Sequence, residues 1–99
     1  KFRAQVDGYK LICCKLRVED SGGKLTRVDL TCYKNDSGFD YDYIHGLSGS
    51  NAYNVSVTHN RIHHLSSGDT IYFKGNSYTG DNPKFKSMGT YLSIHLLST

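Results

Sequence analysis

Residues Lys10 to Tyr33 alternate apolar and polar side chains on both sides of Gly22-Gly23, and this constrains the fold more than any other stretch. Pairing residues whose numbers sum to 46 sets Cys14 opposite Cys32, Leu16 opposite Leu30 and Val18 opposite Val28. On the other face it sets Arg17 against Asp29 and Glu19 against Arg27. Strand side chains alternate with period two, so a one-residue slip would send the apolar set to solvent and separate the opposite charges. The expectation is an antiparallel hairpin with arms Lys10 to Glu19 and Thr26 to Lys34, reversed at Ser21-Gly22-Gly23-Lys24.

The rest of the chain carries the same signature. Phe39, Tyr41 and Tyr43 alternate with Asp40, Asp42 and Ile44, and Tyr53, Val55 and Val57 with Asn54, Ser56 and Thr58. Ile71 and Phe73 share a face in Thr70 to Lys74, as do Leu92, Ile94 and Leu96 in Thr90 to Leu97. Phe2 to Val6 alternates weakly and fits an edge strand. Clusters at Asn35 to Gly38, Gly46 to Asn51 and Ser66 to Asp69 read as turns or loops, Asn60 to Leu65 fits a short helical turn or a continued strand, and Gly75 to Gly89 reads as the longest loop. Six to eight short strands without a long helix predict an all-β fold, a small antiparallel β-sandwich or a compact barrel, in a single domain over residues 1–99. No family motif stands out.

Such a chain buries only roughly 60 to 65% of its extended surface, so the core is thin. No apolar run approaches the roughly 20 residues that span a bilayer, and Lys1 to Val6 does not read as a signal peptide. A soluble chain is expected, with no transmembrane segment. Its start at Lys1 without Met fits a processed product or a trimmed chain. Three cysteines allow at most one internal bridge, and the hairpin register assigns it to Cys14 and Cys32, with Cys13 pointing outward. The alternative is two reduced core thiols. With the acceptor tripeptides Asn35-Asp36-Ser37 and Asn54-Val55-Ser56, the bridge points to a secreted protein.

The net charge of +3 is unevenly spread: basic residues dominate the first third, and Asp36, Asp40, Asp42 and Asp69 face Arg61 alone in the middle. His59, His63 and His64 lie within six residues. Imidazoles this close can bind a transition metal or titrate together near neutral pH, but no cysteine pair completes a ligand set, so no metal or cofactor is expected and surface positions are favoured. The oxygen-rich run Asn35 to Asp42 lacks the spacing of a calcium loop, and Asp40 and Asp42 read as the solvated face of a strand. A small His-dependent ribonuclease-like hydrolase using His59, His63 or His95 with Arg61 on the phosphate is the enzymatic alternative. Nothing in the sequence sets two imidazoles across a cleft, and the acidic middle opposes a phosphate backbone, which makes nucleic acid an unfavoured partner. Cys13 has no ordered base nearby in sequence.

Eight tyrosines outnumber what a thin core can cover. Exposed Tyr beside Asn, Ser and Asp is the composition of surfaces that bind proteins and glycans. The expected binding residues are Tyr41, Tyr43, Tyr53 and Tyr78, joined by Lys84, Phe85 and Lys86. The functional expectation is a secreted non-enzymatic recognition module, toxin-like or effector-like, that binds a protein or glycan surface of another cell.

Overall fold

The computed structural model describes residues Lys1–Thr99, which form seven strands: β1 (Phe2–Arg3), β2 (Gly8–Asp20), β3 (Arg27–Lys34), β4 (Ser37–His45), β5 (Asn54–Leu65), β6 (Thr70–Tyr78) and β7 (Pro83–Ser98). A single 3-10 turn at Gly49–Ala52 precedes β5. The strands make two antiparallel sheets, ordered β1-β6-β3-β4 and β5-β2-β7, packed as a β-sandwich. Two separate sheets exclude the closed barrel.

The alternation expected for Lys10 to Tyr33 is present, but its two halves are not hydrogen-bonded to each other. β2 is the centre of one sheet, between β5 and β7, and β3 lies in the other, between β4 and β6. Residues 21–26 therefore cross between layers rather than closing a hairpin. The mistake has a physical origin. An antiparallel pair zipped side by side and an antiparallel pair stacked face to face present the same apolar residues to one another, so periodicity cannot separate them. Leu16, Val18, Val28 and Leu30 do meet in one core cluster with Cys14, Leu25 and Val57, but across the sandwich. The outward charges pair within their own strands, Arg17 with Glu19 and Arg27 with Asp29.

The disulfide falls with the hairpin. Cys13, Cys14 and Cys32 are all free thiols. With β2 and β3 in different sheets, the lateral pairing that set the two sulfurs opposite one another is gone. Cys14 belongs to the cluster around Leu16, whereas Cys32 packs with Ala4, Ile12, Leu65 and Ile71. Burial raises the Cys14 thiol to about 11, with the Asp42 charge adding to it, and burial likewise raises Cys32 to about 12. Both are inert core groups.

Gly75 to Gly89 is not a long loop. Only residues 79–82 separate β6 from β7, and the glycines have roles inside strands. Gly75 faces inward, where a Cβ would lie 2.3 Å from Leu16 Cδ2, so its bareness admits that leucine. Gly89, at φ +83, sits where the β2–β7 register shifts between Lys15 and Arg17, which is a bulge. Residues 60–65 simply continue β5. At the end of β2 the buried Asp20 carboxylate accepts backbone N–H bonds from Lys24 (2.7 Å), Asp81 (3.1 Å) and Asn82 (2.5 Å), tying two loops together.

Candidate functional site

β4 is an edge strand whose two faces differ, as its alternation requires. Tyr41, Tyr43 and His45 point outward, and Asp40, Asp42 and Ile44 point in, while Phe39, unpaired at the β3–β4 register shift, turns its ring onto His63 at 5.0 Å. The aspartates thus do not form a solvated face. They lean over the inward stripe of β5, the facing edge strand of the other sheet, which reads Val55, Val57, His59, Arg61, His63, Leu65.

The outer face of the β1-β6-β3-β4 sheet gathers aromatic rings and cations from three strands. Register sets Tyr43, Asp29 and Asn76 in one row, Tyr41, Thr31 and Lys74 in the next, and His45, Arg27 and Tyr78 in a third. The Arg27 guanidinium lies 4.7 Å from the Tyr43 ring centroid and 5.4 Å from that of Tyr78, while its Nε donates to Asp29 Oδ1 at 2.6 Å. Tyr78 donates its hydroxyl to the same carboxylate at 3.2 Å. Tyr33 and Tyr72 stack at 5.0 Å with Lys74 Nζ 4.9 Å from the Tyr33 centroid, and Tyr41 stacks on Tyr43 at 5.7 Å. Each contact restricts the rotamers of the side chains that make it.

Three of the seven expected binding residues, Tyr41, Tyr43 and Tyr78, meet on this face. The others lie elsewhere. Tyr53 packs its ring on Gly23, whose φ of +64 and lack of a side chain make the room, since a Cβ there would fall 2.4 Å from the ring. Lys84, Phe85 and Lys86 are strand residues of β7. Phe85 and Lys86 line a cavity of about 530 Å³ with Arg17, Glu19, Ser87 and Met88, and Lys86 Nζ reaches Glu19 at 3.4 Å. Arg27, Tyr33, Tyr72 and Lys74 also belong to the aromatic face, and only pairing of β3 with both neighbours places them beside Tyr41 and Tyr43.

The inward seam between β4 and β5 is chemically distinct. Arg61 forks onto Asp42, with Nη1 to Oδ2 at 2.9 Å and Nη2 to Oδ1 at 2.6 Å, and also reaches Asp40 Oδ2 at 3.1 Å. His59, fully buried, places Nδ1 2.7 Å from Asp42 Oδ2 and Nε2 3.1 Å from His63 Nε2. Its Nδ1 is also 2.7 Å from Arg61 Nη1 and so lies between an acceptor and a donor. With Nδ1–H the ring donates to Asp42 and leaves Nε2 to accept from His63, and with a bare Nδ1 it accepts from Arg61 and donates Nε2–H to His63. Burial opposes the Asp42 charge, but the hydrogen bonds of Arg61 and His59 outweigh it and hold the carboxyl below the ordinary aspartate value. Burial, with His59 adding to it, pushes the His63 imidazole below its ordinary value, towards the neutral form.

Of the residues named for a ribonuclease, the seam gathers His59, His63 and Arg61 and leaves His95 apart. His59 faces the core, paired in register with the inward Cys14, whereas His95 pairs with the outward Leu11, so the two imidazoles occupy opposite faces of one sheet. His64 lies outward against Tyr9.

No protein-family model matches the chain, and no curated protein does. No helix is long and apolar enough to cross a membrane. Among solved structures, the chain is similar to that of Eiger TNF from S. frugiperda, with a TM-score of 0.70 at 12% identity, over 97% of this chain and 63% of the other. The chain therefore spans under two thirds of that structure's length, and what the two share is the fold, a jelly-roll-like sandwich of two antiparallel sheets.

Proposed function

We propose that this chain is a secreted, non-enzymatic recognition module, toxin-like or effector-like, that docks the outer face of its β1-β6-β3-β4 sheet onto a protein surface of another cell. The observation that carries the reading is the ordered lattice of rings and cations on that face: Arg27 between Tyr43 and Tyr78, Lys74 over the Tyr33–Tyr72 stack. Tyr and Arg dominate the energetics of protein interfaces because they bring large rigid area together with a polar tip. The shared fold with a TNF protein is in keeping with a binding role. A broad sheet face suits a protein better than a sugar, which prefers a concave seat. The cavity beside Phe85 and Lys86 supports a second, glycan-binding reading at a different place.

A panel of cell-surface ectodomains and a glycan array, both probed with the labelled chain, tests this. The expected result is capture by a protein ectodomain, weakened at least tenfold by Tyr43→Ser or Arg27→Ala and unchanged by Lys86→Ala. Loss on Lys86→Ala alone, with signal confined to the glycan array, would move recognition to the cavity. RNA cleavage lost in His63→Ala would overturn the non-enzymatic reading.

A further inference from the structure

We propose that Asp40, His59 and His63 form a binding site for a divalent transition-metal ion, zinc by preference, which clips β4 to β5 at the seam of the sandwich. One ligand atom from each, the His59 and His63 Nε2 atoms and an Asp40 carboxylate oxygen, lie within 4.8 Å of one another. Zinc takes nitrogen at about 2.0–2.1 Å in a tetrahedron, which sets two ligating nitrogens roughly 3.3 Å apart. The two Nε2 atoms are 3.1 Å apart. Two histidines and a carboxylate with one position left for water is a donor set that zinc accepts, and the mix of imidazole and oxygen disfavours calcium and magnesium.

The surroundings are those a ligating histidine needs. Asp42 Oδ2, 2.7 Å from His59 Nδ1, is placed to accept the Nδ1–H of the tautomer whose Nε2 lone pair takes the ion. Arg61 in turn orients Asp42 through two hydrogen bonds. Asp40 and Asp42 together offset two of the three positive charges that Arg61 and the ion bring. In the metal-free protein the two Nε2 atoms share one proton along the line between them. The ion replaces that proton and lies off the line, towards Asp40, whose Oδ2 is 4.0 Å from His63 Nε2. The movement this asks for falls on the two looser groups, since the His63 and Asp40 side chains are 13% and 28% exposed while His59 is sealed. Their partial exposure is also the route of entry. Because the ligands come from the edge strands of both sheets, the ion adds a link between layers beside the Arg61–Asp42 fork that already joins them.

Equilibrium dialysis of the purified, chelator-treated chain against Zn²⁺ alone, with thermal melts in parallel, decides it. The expected result is one ion per chain with a dissociation constant below about 10 μM and a zinc-dependent rise in melting temperature. Co²⁺ in its place should give the intense visible bands of four-coordinate cobalt. His63→Gln and Asp40→Asn, which spare the buried imidazole, should each weaken binding at least tenfold, and His64→Gln and His95→Gln should leave it unchanged. No retention of Zn²⁺ at about 100 μM, or equal retention by wild type and His63→Gln, would overturn the site. Because the readout is metal and not partner capture, it stands or falls independently of the recognition face.

Discussion

Replacing Leu30 with Ala is expected to cost about 3 kcal/mol of folding stability. Leu30 lies on β3, flanked by two hydrogen-bonded neighbours, and its side chain is 2% exposed in the cluster with Leu16, Val18 and Val28. The change removes three carbons from the core, worth roughly 2.4 kcal/mol at about 0.8 per methylene-sized group. It also leaves a void that two laddered sheets close only in part, adding about 1 kcal/mol at roughly 24 cal/mol per Å³ of residual cavity. For a chain of this size the melting temperature should fall by about 12–24 °C. The control is Leu97→Ala on β7, where the side chain is 52% exposed and the loss should stay below about 1 kcal/mol. Urea unfolding followed by far-UV circular dichroism measures both, with unchanged m values confirming that the same surface is exposed on unfolding. A cost below about 1 kcal/mol for Leu30→Ala, or an equal cost for Leu97→Ala, would refute the placement of β3 against β2 across the sandwich.

Further outcomes follow from other parts of the structure. Under native conditions a thiol reagent should modify Cys13 and spare Cys14 and Cys32, whose thiols are buried and raised to about 11 and 12, with all three reacting in denaturant; non-reducing mass spectrometry that found Cys14 joined to Cys32 would contradict this. Asp42→Asn should destabilise the chain at pH 7 by about 1–2 kcal/mol, less than a fully buried pair because Arg61 is partly exposed. The folded-state pKa of Asp42 lies below its unfolded value, so its contribution is complete above about pH 4 and lost as pH falls through the folded value; the gap between variant and wild type should therefore close only in strong acid, and a gap constant down to pH 2 would count against it. For His63, also lowered, stability is complete above about pH 6.5 and declines as pH falls below it, so His63→Gln should flatten the stability profile between pH 6.5 and 5. Gly23→Ala should cost more than about 1 kcal/mol, because it combines a positive φ with a collision against Tyr53, and a neutral result would mean that this turn is not formed.

Local alternation by itself determined which residues face inward along β2, β3 and the first halves of β5 and β6, and that the fold is all-β, a sandwich or a compact barrel. That information is carried by period two, which each strand writes into its own sequence. Alternation is silent on which strands are neighbours. For that reason the Leu16–Leu30 and Val18–Val28 matches were legible, but whether they lie beside or across from one another was settled only by the crossing of residues 21–26 to the other layer. The same ambiguity placed Asp40 and Asp42 on the wrong side: an acidic stripe reads as solvated until β5 brings Arg61, His59 and His63 beneath it. His59 and His63 were visible as a pair at spacing four, while the carboxylate that completes their cluster sits 19 residues before His59 on the other sheet. Tyr41 and Tyr43 announced an aromatic face from sequence, yet Arg27, Tyr33, Tyr72 and Lys74 joined it only through lateral hydrogen bonding of β4, β3 and β6. Side-chain direction is a local property of the strand, whereas adjacency is decided by which sheet offers the lowest free energy to all strands together.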